Sequence, residues 1–205
     1  MESTAGYTLS SDWMLKDGYE ATRIAIEAME VAEMAYMLVG GLSSNAYGIP
    51  RSTKDADIVL AVDSAKLKEL ADALGPDFEL DPHASFEMVS GTIRYHLRVP
   101  SITFEIELFL LSDDAHDRSR FERRRKVRSD QLGIEATIPA PEDVIVMKPR
   151  WAKTVGRLKD MEDIRDVIAV QGDEALDWDY IHKWAAEHET RELLDEIRAS
   201  IPPID

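Results

Sequence analysis

The 205-residue chain sets 24 Lys and Arg against 40 Asp and Glu, a formal net charge of −16 that argues against broad, non-specific nucleic-acid binding. It has no cysteine, which excludes disulfides, thiolate catalysis and Cys-ligated zinc. With 44% hydrophobic residues it can build the core of one ordinary domain, alone or with a small appendage, and no apolar run approaches the roughly 18 residues of a membrane span.

The first residues, MESTAGYTLSSDWMLK, lack a basic segment followed by an apolar one, which predicts no signal peptide and a reducing, cytoplasmic address. From about Ser11 to Met34, Ile24, Ile26, Ala28, Met29 and Val31 recur among Glu and Arg, predicting an amphipathic helix. Ala35–Val39 reads as a buried strand ending at Gly40-Gly41, and Leu42–Tyr47 as a short helix stopped by Gly48 and Pro50. DIVLAV, 57–62, reads as the next strand. Ser64 is placed to cap a helix over Ala65–Leu74, ended by Gly75-Pro76.

Phe86–Val89 and Thr92–Val99 flank Ser90-Gly91 and predict a hairpin. In Ser101–Leu111, the apolar Ile102, Phe104, Ile106 and Leu108 alternate with Thr103, Glu105, Glu107 and Phe109, a strand with an acidic stripe. The spacing predicts a helix over Asp113–Arg128 and an extended Leu132–Ile138. Pro141-Glu142-Asp143 is a strong helix start, and helices interrupted near Gly156, Gly172 and Thr190 follow. The expected architecture is α/β (α+β): a mixed sheet flanked by helices over residues 1–139, then a C-terminal helical region over 140–205.

Two local features carry chemistry. Gly40-Gly41 has no Cβ to keep a phosphate from the backbone. Asp55 and Asp57, one residue apart at the head of a strand, point to the same face because strand side chains alternate. A phosphate cradle beside paired oxygen ligands suits Mg²⁺-dependent nucleotide chemistry. A third carboxylate should come from another strand, and Glu107, flanked by Ile106 and Leu108, is preferred over Glu105. The five histidines show no metal-binding spacing and are assigned no role; Trp13, Trp151, Trp178 and Trp184 read as packing residues.

The stretch VGGLSSNAYGIPRSTKDADI resembles the nucleotidyltransferase superfamily, and within it bacterial proteins related to AbiEii-type toxins. The Gly pair is followed by Arg51, Thr53, Asp55 and Asp57 in the group's Arg-x-Thr-x-Asp-x-Asp spacing. A second stretch, APEDVIVMKPRWAKTVGRLKDMEDIRDV, places Glu142, Asp143, Lys148, Arg157, Lys159 and Asp160 in matching positions. The resemblance implies a polymerase β-like fold holding Mg²⁺ or Mn²⁺ on Asp55, Asp57 and Glu107, with an NTP as substrate. It implies that Gly40, Gly41 and Ser43 seat the triphosphate, that Lys148 supplies charge to it, and that Arg51 and Thr53 complete the nucleotide site. A Glu in place of the usual third Asp and a Pro at position 149 depart from the pattern. A toxin role with an antitoxin protein as partner is the natural elaboration, and a non-catalytic nucleotide sensor or antitoxin-binding module on the same fold is the rival. Arg118 to Arg128, RSRFERRRKVR, reads either as a solvated helix face paired with acids or as a landing strip for an RNA acceptor.

Overall fold

The computed structural model describes residues 15–156 and 158–202; Trp13, Arg157 and the start of the expected first helix lie outside them. That helix, α1 (Gly18–Val31), begins where Asp17 accepts a hydrogen bond from the Glu20 N–H at 2.9 Å. It packs its buried stripe of Ala21, Ala25, Ile26 and Met29 against the sheet and against α3 (Ala65–Leu74). The strand β1 (Tyr36–Val39) runs directly into α2 (Gly40–Tyr47), so the helix starts at the glycine pair, two residues earlier than its apolar pattern suggests. Ser64 precedes α3 without making the expected cap hydrogen bond, and Gly75 ends the helix at φ +81°.

Strand β2 (Asp55–Leu60) begins two residues earlier than predicted, which takes both aspartates into the ladder. Then come β3 (Glu79–Leu80), β4 (Ser85–Glu87), β5 (Thr92–Val99) and β6 (Phe104–Leu110), with a 3₁₀ turn over Pro100–Ile102 where the sequence reads as strand. The sheet order is β1-β2-β6-β5-β3, with β4 also on β5; β2 and β6 are parallel and the other pairs antiparallel. The mixed α/β architecture with flanking helices is thus the one the pattern predicts.

Register sorts the side chains. Ala56, Ile58 and Leu60 of β2, Ile106 and Leu108 of β6, and Leu97 and Val99 of β5 face the main core with α1 and α3. The opposite face is divided. At one end Met37, Val59 and Phe109 are covered by Phe121 of α4 (Ala115–Glu122); at the other stand the acidic residues of β2 and β6.

The predicted helix over Asp113–Arg128 is overturned in its second half. After α4 the chain turns into β7 (Arg125–Ser129), paired antiparallel with β8 (Ile134–Ile138). Strand pairing at five register positions satisfies backbone groups that an isolated arginine-rich helix end would leave to water. The helical part then runs as α5 (Pro141–Val155), α6 (Leu158–Gln171), α7 (Trp178–Glu187) and α8 (Arg191–Ala199), broken at the expected places. Helix α5 continues through Pro149 to Val155. Among the described residues no helix is long and apolar enough to cross a membrane.

Candidate active site

The parallel pairing of β2 with β6 puts Asp57 opposite Glu107 and Asp55 opposite Glu105, so all four carboxylates share the open face. Against this face α2 brings its N-terminus. Gly40 adopts φ +65°, and a Cβ built on it would lie 1.8 Å from Asp57 Oδ2, so the position must be glycine for backbone and carboxylate to approach so closely. A Cβ on Gly41 would meet Thr53 Oγ1 at 3.2 Å. No side chain caps α2, which leaves its first backbone N–H groups for a ligand or for water.

A cleft opens here, and it is lined by all nine candidate residues: Gly40, Gly41, Ser43, Arg51, Thr53, Asp55, Asp57, Glu107 and Lys148. They come from α2, the following loop, β2, β6 and α5, over a sequence separation of more than a hundred residues. Each is nevertheless held in a particular way. Thr53 Oγ1 donates to Asp55 Oδ1 at 2.9 Å and fixes that carboxylate. Ser43 Oγ donates to the Gly40 carbonyl at 3.0 Å, so its hydroxyl proton is turned into the helix. Glu107 accepts two hydrogen bonds, at 3.1 and 3.0 Å, from Arg94 Nη1 on the neighbouring β5.

The two basic candidates meet at one acid. Lys148 Nζ lies 3.0 Å from Asp160 Oδ1 and 2.7 Å from Asp163 Oδ2, while Arg51 grips Asp163 with Nε at 2.6 Å and Nη2 at 2.8 Å. Burial alone would push the Asp163 carboxyl up, but the Arg51 hydrogen bonds and the Lys148 charge outweigh it and hold the group below the usual carboxylate range. Lys148 thus stands on the cleft wall with its ammonium already engaged. Lys159 also lines the cleft and is exposed.

Sequence reasoning missed the residues that reach this face from β5. Arg94, His96 and Arg98 alternate on the same face as Glu105 and Glu107, and His96 is the register partner of Glu107. The signal was present: a basic stripe at period two, one strand before an acidic stripe at period two, predicts cross-strand charge pairs. It also missed Asp117 and Arg120 of α4, a buried pair at 2.8 Å on the far wall of the cleft. Trp151, read as packing, is a cleft residue.

Beneath the cleft lies a buried polar relay that the unassigned histidines build. Asp143 on the cleft wall is 3.2 Å from His116 Nε2 and accepts from the Tyr180 hydroxyl at 2.5 Å; His116 Nδ1 is 3.1 Å from His188 Nε2. Burial pushes the Asp143 carboxyl up, yet the hydrogen bonds from His116 and Tyr180 prevail and keep it low. Burial lowers His116, and burial together with the nearby Arg150 lowers His188 to about 4. His188 is therefore neutral at pH 7.

The basic stretch is largely spent internally. Arg118 pairs with Asp113 and Arg120 with Asp117; Arg123 pairs with Glu142 and Asp143 and stacks 3.9 Å over Tyr180. Arg124 lies 3.9 Å over Phe121, and Lys126 pairs with Glu30. Four of the seven cations of this stretch thus pair with the protein's own acids, while Arg125 and Arg128 are exposed.

No family model and no curated protein matches the sequence. Solved structures do match the fold. The solution structure of the antibiotic-resistance factor ANT(2'')-Ia superposes with a TM-score of 0.54 at 13% identity, covering 86% of this chain and 96% of that one. The crystal structure of ANT(2'')-Ia with adenylyl-2''-tobramycin gives 0.54 at 13% identity, covering 85% and 98%. An antigenic nucleotidyltransferase-like protein from Paracoccidioides brasiliensis gives 0.49 at 22% identity, covering 89% and 93%.

Proposed function

We propose that this chain, which has the nucleotidyltransferase fold, transfers a nucleoside monophosphate from an NTP to a hydroxyl-bearing acceptor. The observation that carries the reading is the register of β2 and β6, which sets Asp55, Asp57 and Glu107 on one face beside the uncapped N-terminus of α2. Three carboxylates make an all-oxygen donor set of the kind a hard divalent cation takes, although as they stand their oxygens do not all lie within 4.8 Å of one another. Asp55, Asp57 and Glu107 would hold Mg²⁺ or Mn²⁺, which when bound offsets the negative charge of the phosphates.

The chain's own groups divide the remaining work. The backbone of Gly40, Gly41 and Ser43 receives phosphate oxygens at the positive end of α2. Thr53 keeps Asp55 aimed, while Arg51 and Lys148 hold the wall between α2, α5 and α6 in place through Asp163. In the transfer, the acceptor oxygen forms a bond to the α-phosphorus, the bond to the bridging oxygen of pyrophosphate breaks, and the hydroxyl proton passes to a carboxylate, assigned here to Glu107. The resemblance of its motifs to AbiEii-type proteins supports a toxin role as an elaboration of this reading; growth arrest on induction, lost in Asp57→Ala, tests it.

One observation favours the second reading, a nucleotide sensor without turnover: both Glu107 oxygens are taken by Arg94. Mg²⁺-dependent binding of each NTP and release of pyrophosphate, measured together with a pool of RNAs and small hydroxyl acceptors, separates the two. Binding with release supports transfer, and binding without release supports the sensor. Neither, in a protein folded like its Asp57→Ala control, refutes both.

A further inference from the structure

We propose that His96, Glu105 and Glu107 form a cation site of their own on the sheet, suited to a divalent transition-metal ion such as Zn²⁺. It lies beside the aspartate pair and shares Glu107 with it, and it stands on the placement of these three side chains, independently of nucleotidyl transfer.

Register creates the cluster. His96 on β5 is the antiparallel partner of Glu107 on β6, and Glu105 is two residues away on the same face. One donor atom from each residue lies within 4.8 Å of the other two, and among the described residues this is the one group of three to come so close. The imidazole supplies the second observation. His96 Nδ1 has less than 1 Å² of accessible surface and makes no hydrogen bond, although Glu105 Oε1 stands only 3.2 Å away. A protonated ring would form an ion pair across this contact, but in the neutral ring the nitrogen is left facing a carboxylate without a hydrogen bond, which is costly. A cation between the two would use the nitrogen lone pair and the carboxylate together.

The donor set selects the ion. One imidazole nitrogen with two carboxylate oxygens suits Zn²⁺ or Mn²⁺, whereas Mg²⁺ takes oxygen ligands and keeps water. Three protein ligands leave a coordination position for solvent. The arginines define what binding must displace. Arg94 holds Glu107, and Arg98 Nε lies 3.6 Å from Glu105 Oε1. These two positive charges balance the carboxylates until the ion competes for them. An ion here therefore draws Glu107 away from Arg94 and couples occupancy of this site to the third carboxylate of the aspartate site.

The test titrates the full, metal-stripped chain with Zn²⁺ by calorimetry and follows histidine ring nitrogens by ¹H–¹⁵N NMR. Wild type should bind, with the His96 ring shifted, and His96→Ala and Glu105→Gln should each weaken binding by more than about tenfold. Asp57→Asn should leave the Zn²⁺-induced shift of the His96 ring in place while abolishing Mg²⁺-dependent nucleotide binding, which separates this site from the proposed activity. Unchanged binding in both His96→Ala and Glu105→Gln overturns the proposal. Should His96→Ala fail to fold, wild type alone decides: a Zn²⁺ shift at exposed His83 with none at His96 overturns it equally.

Discussion

Replacing Lys148 with methionine, a side chain of similar reach without charge, tests the ion cluster that ties α5 to α6. The Lys148, Asp160 and Asp163 side chains are 10%, 4% and 5% exposed, so solvent can do little to replace a lost partner. The loss falls unequally. Asp163 keeps the two hydrogen bonds of Arg51, whereas Asp160 loses the partner of Oδ1 and already has none at Oδ2. Leaving a buried charge unpaired costs about 3–5 kcal/mol, and because Arg51 still compensates Asp163 the lower end, about 3 kcal/mol, is expected. Urea unfolding at pH 7.5, followed by tryptophan fluorescence, should show a lower midpoint at unchanged slope. Adding Asp160→Asn, which removes the stranded charge, should recover at least half of the loss. The pH dependence has a definite sign. The folded Asp163 carboxyl lies below its unfolded value, so its stabilisation is present above about pH 3.9 and is lost as pH falls through the folded value. The gap between wild type and variant should therefore narrow in acid. A loss under about 1 kcal/mol at pH 7.5 would refute the reasoning, since Lys148 would then not be committed to Asp160 and Asp163.

Gly40→Ala places a side chain at positive φ, costing about 1–2 kcal/mol, and pushes Asp57 aside by about an ångström or more; a fall of about 100-fold in Mg²⁺-dependent turnover is expected, and full turnover would show that Asp57 need not sit there. His188, lowered to about 4 chiefly by burial, contributes stability that is present above its unfolded value near 6.5 and is lost as pH falls toward 4. Discounted for its half-buried position, this amounts to about 1–2 kcal/mol between pH 7 and 4, and His188→Gln should flatten that part of a thermal-unfolding pH profile. Arg94→Gln frees Glu107 from its guanidinium and should tighten Zn²⁺ binding several-fold in calorimetry; weaker binding would mean that Arg94 orients Glu107 instead of competing for it.

What could be read from the sequence was local in origin. The Gly40-Gly41 turn and the Asp55-x-Asp57 alternation are set by residues next to one another, and the α5 start follows from Pro141-Glu142-Asp143. The helix expected through Arg128 fails because β7 exists through its pairing with β8, information held outside the segment itself. Lys148 reads as an open phosphate binder until α6 folds back and brings Asp160 and Asp163, twelve and fifteen residues on, against it. His116 has no neighbour in sequence to mark it, and its role depends on α4, α5 and the end of α7 meeting. Arg94 lay between these cases: its stripe is visible in the sequence, while its pairing with Glu107 is fixed by the sheet.

Asp163 has one consequence for how such a chain can change over time. It serves Arg51, two residues before the threonine that holds Asp55, and Lys148 from the helical half, so a single carboxylate answers to both halves of the protein. Neutralising it leaves two cations facing each other across a buried wall, and reversing Arg51 alone sets like charges together. Descendants of this sequence should therefore alter positions 51, 148 and 163 together or not at all. A chimera joined near residue 140 should work only if both parents carry the same charges at these three positions.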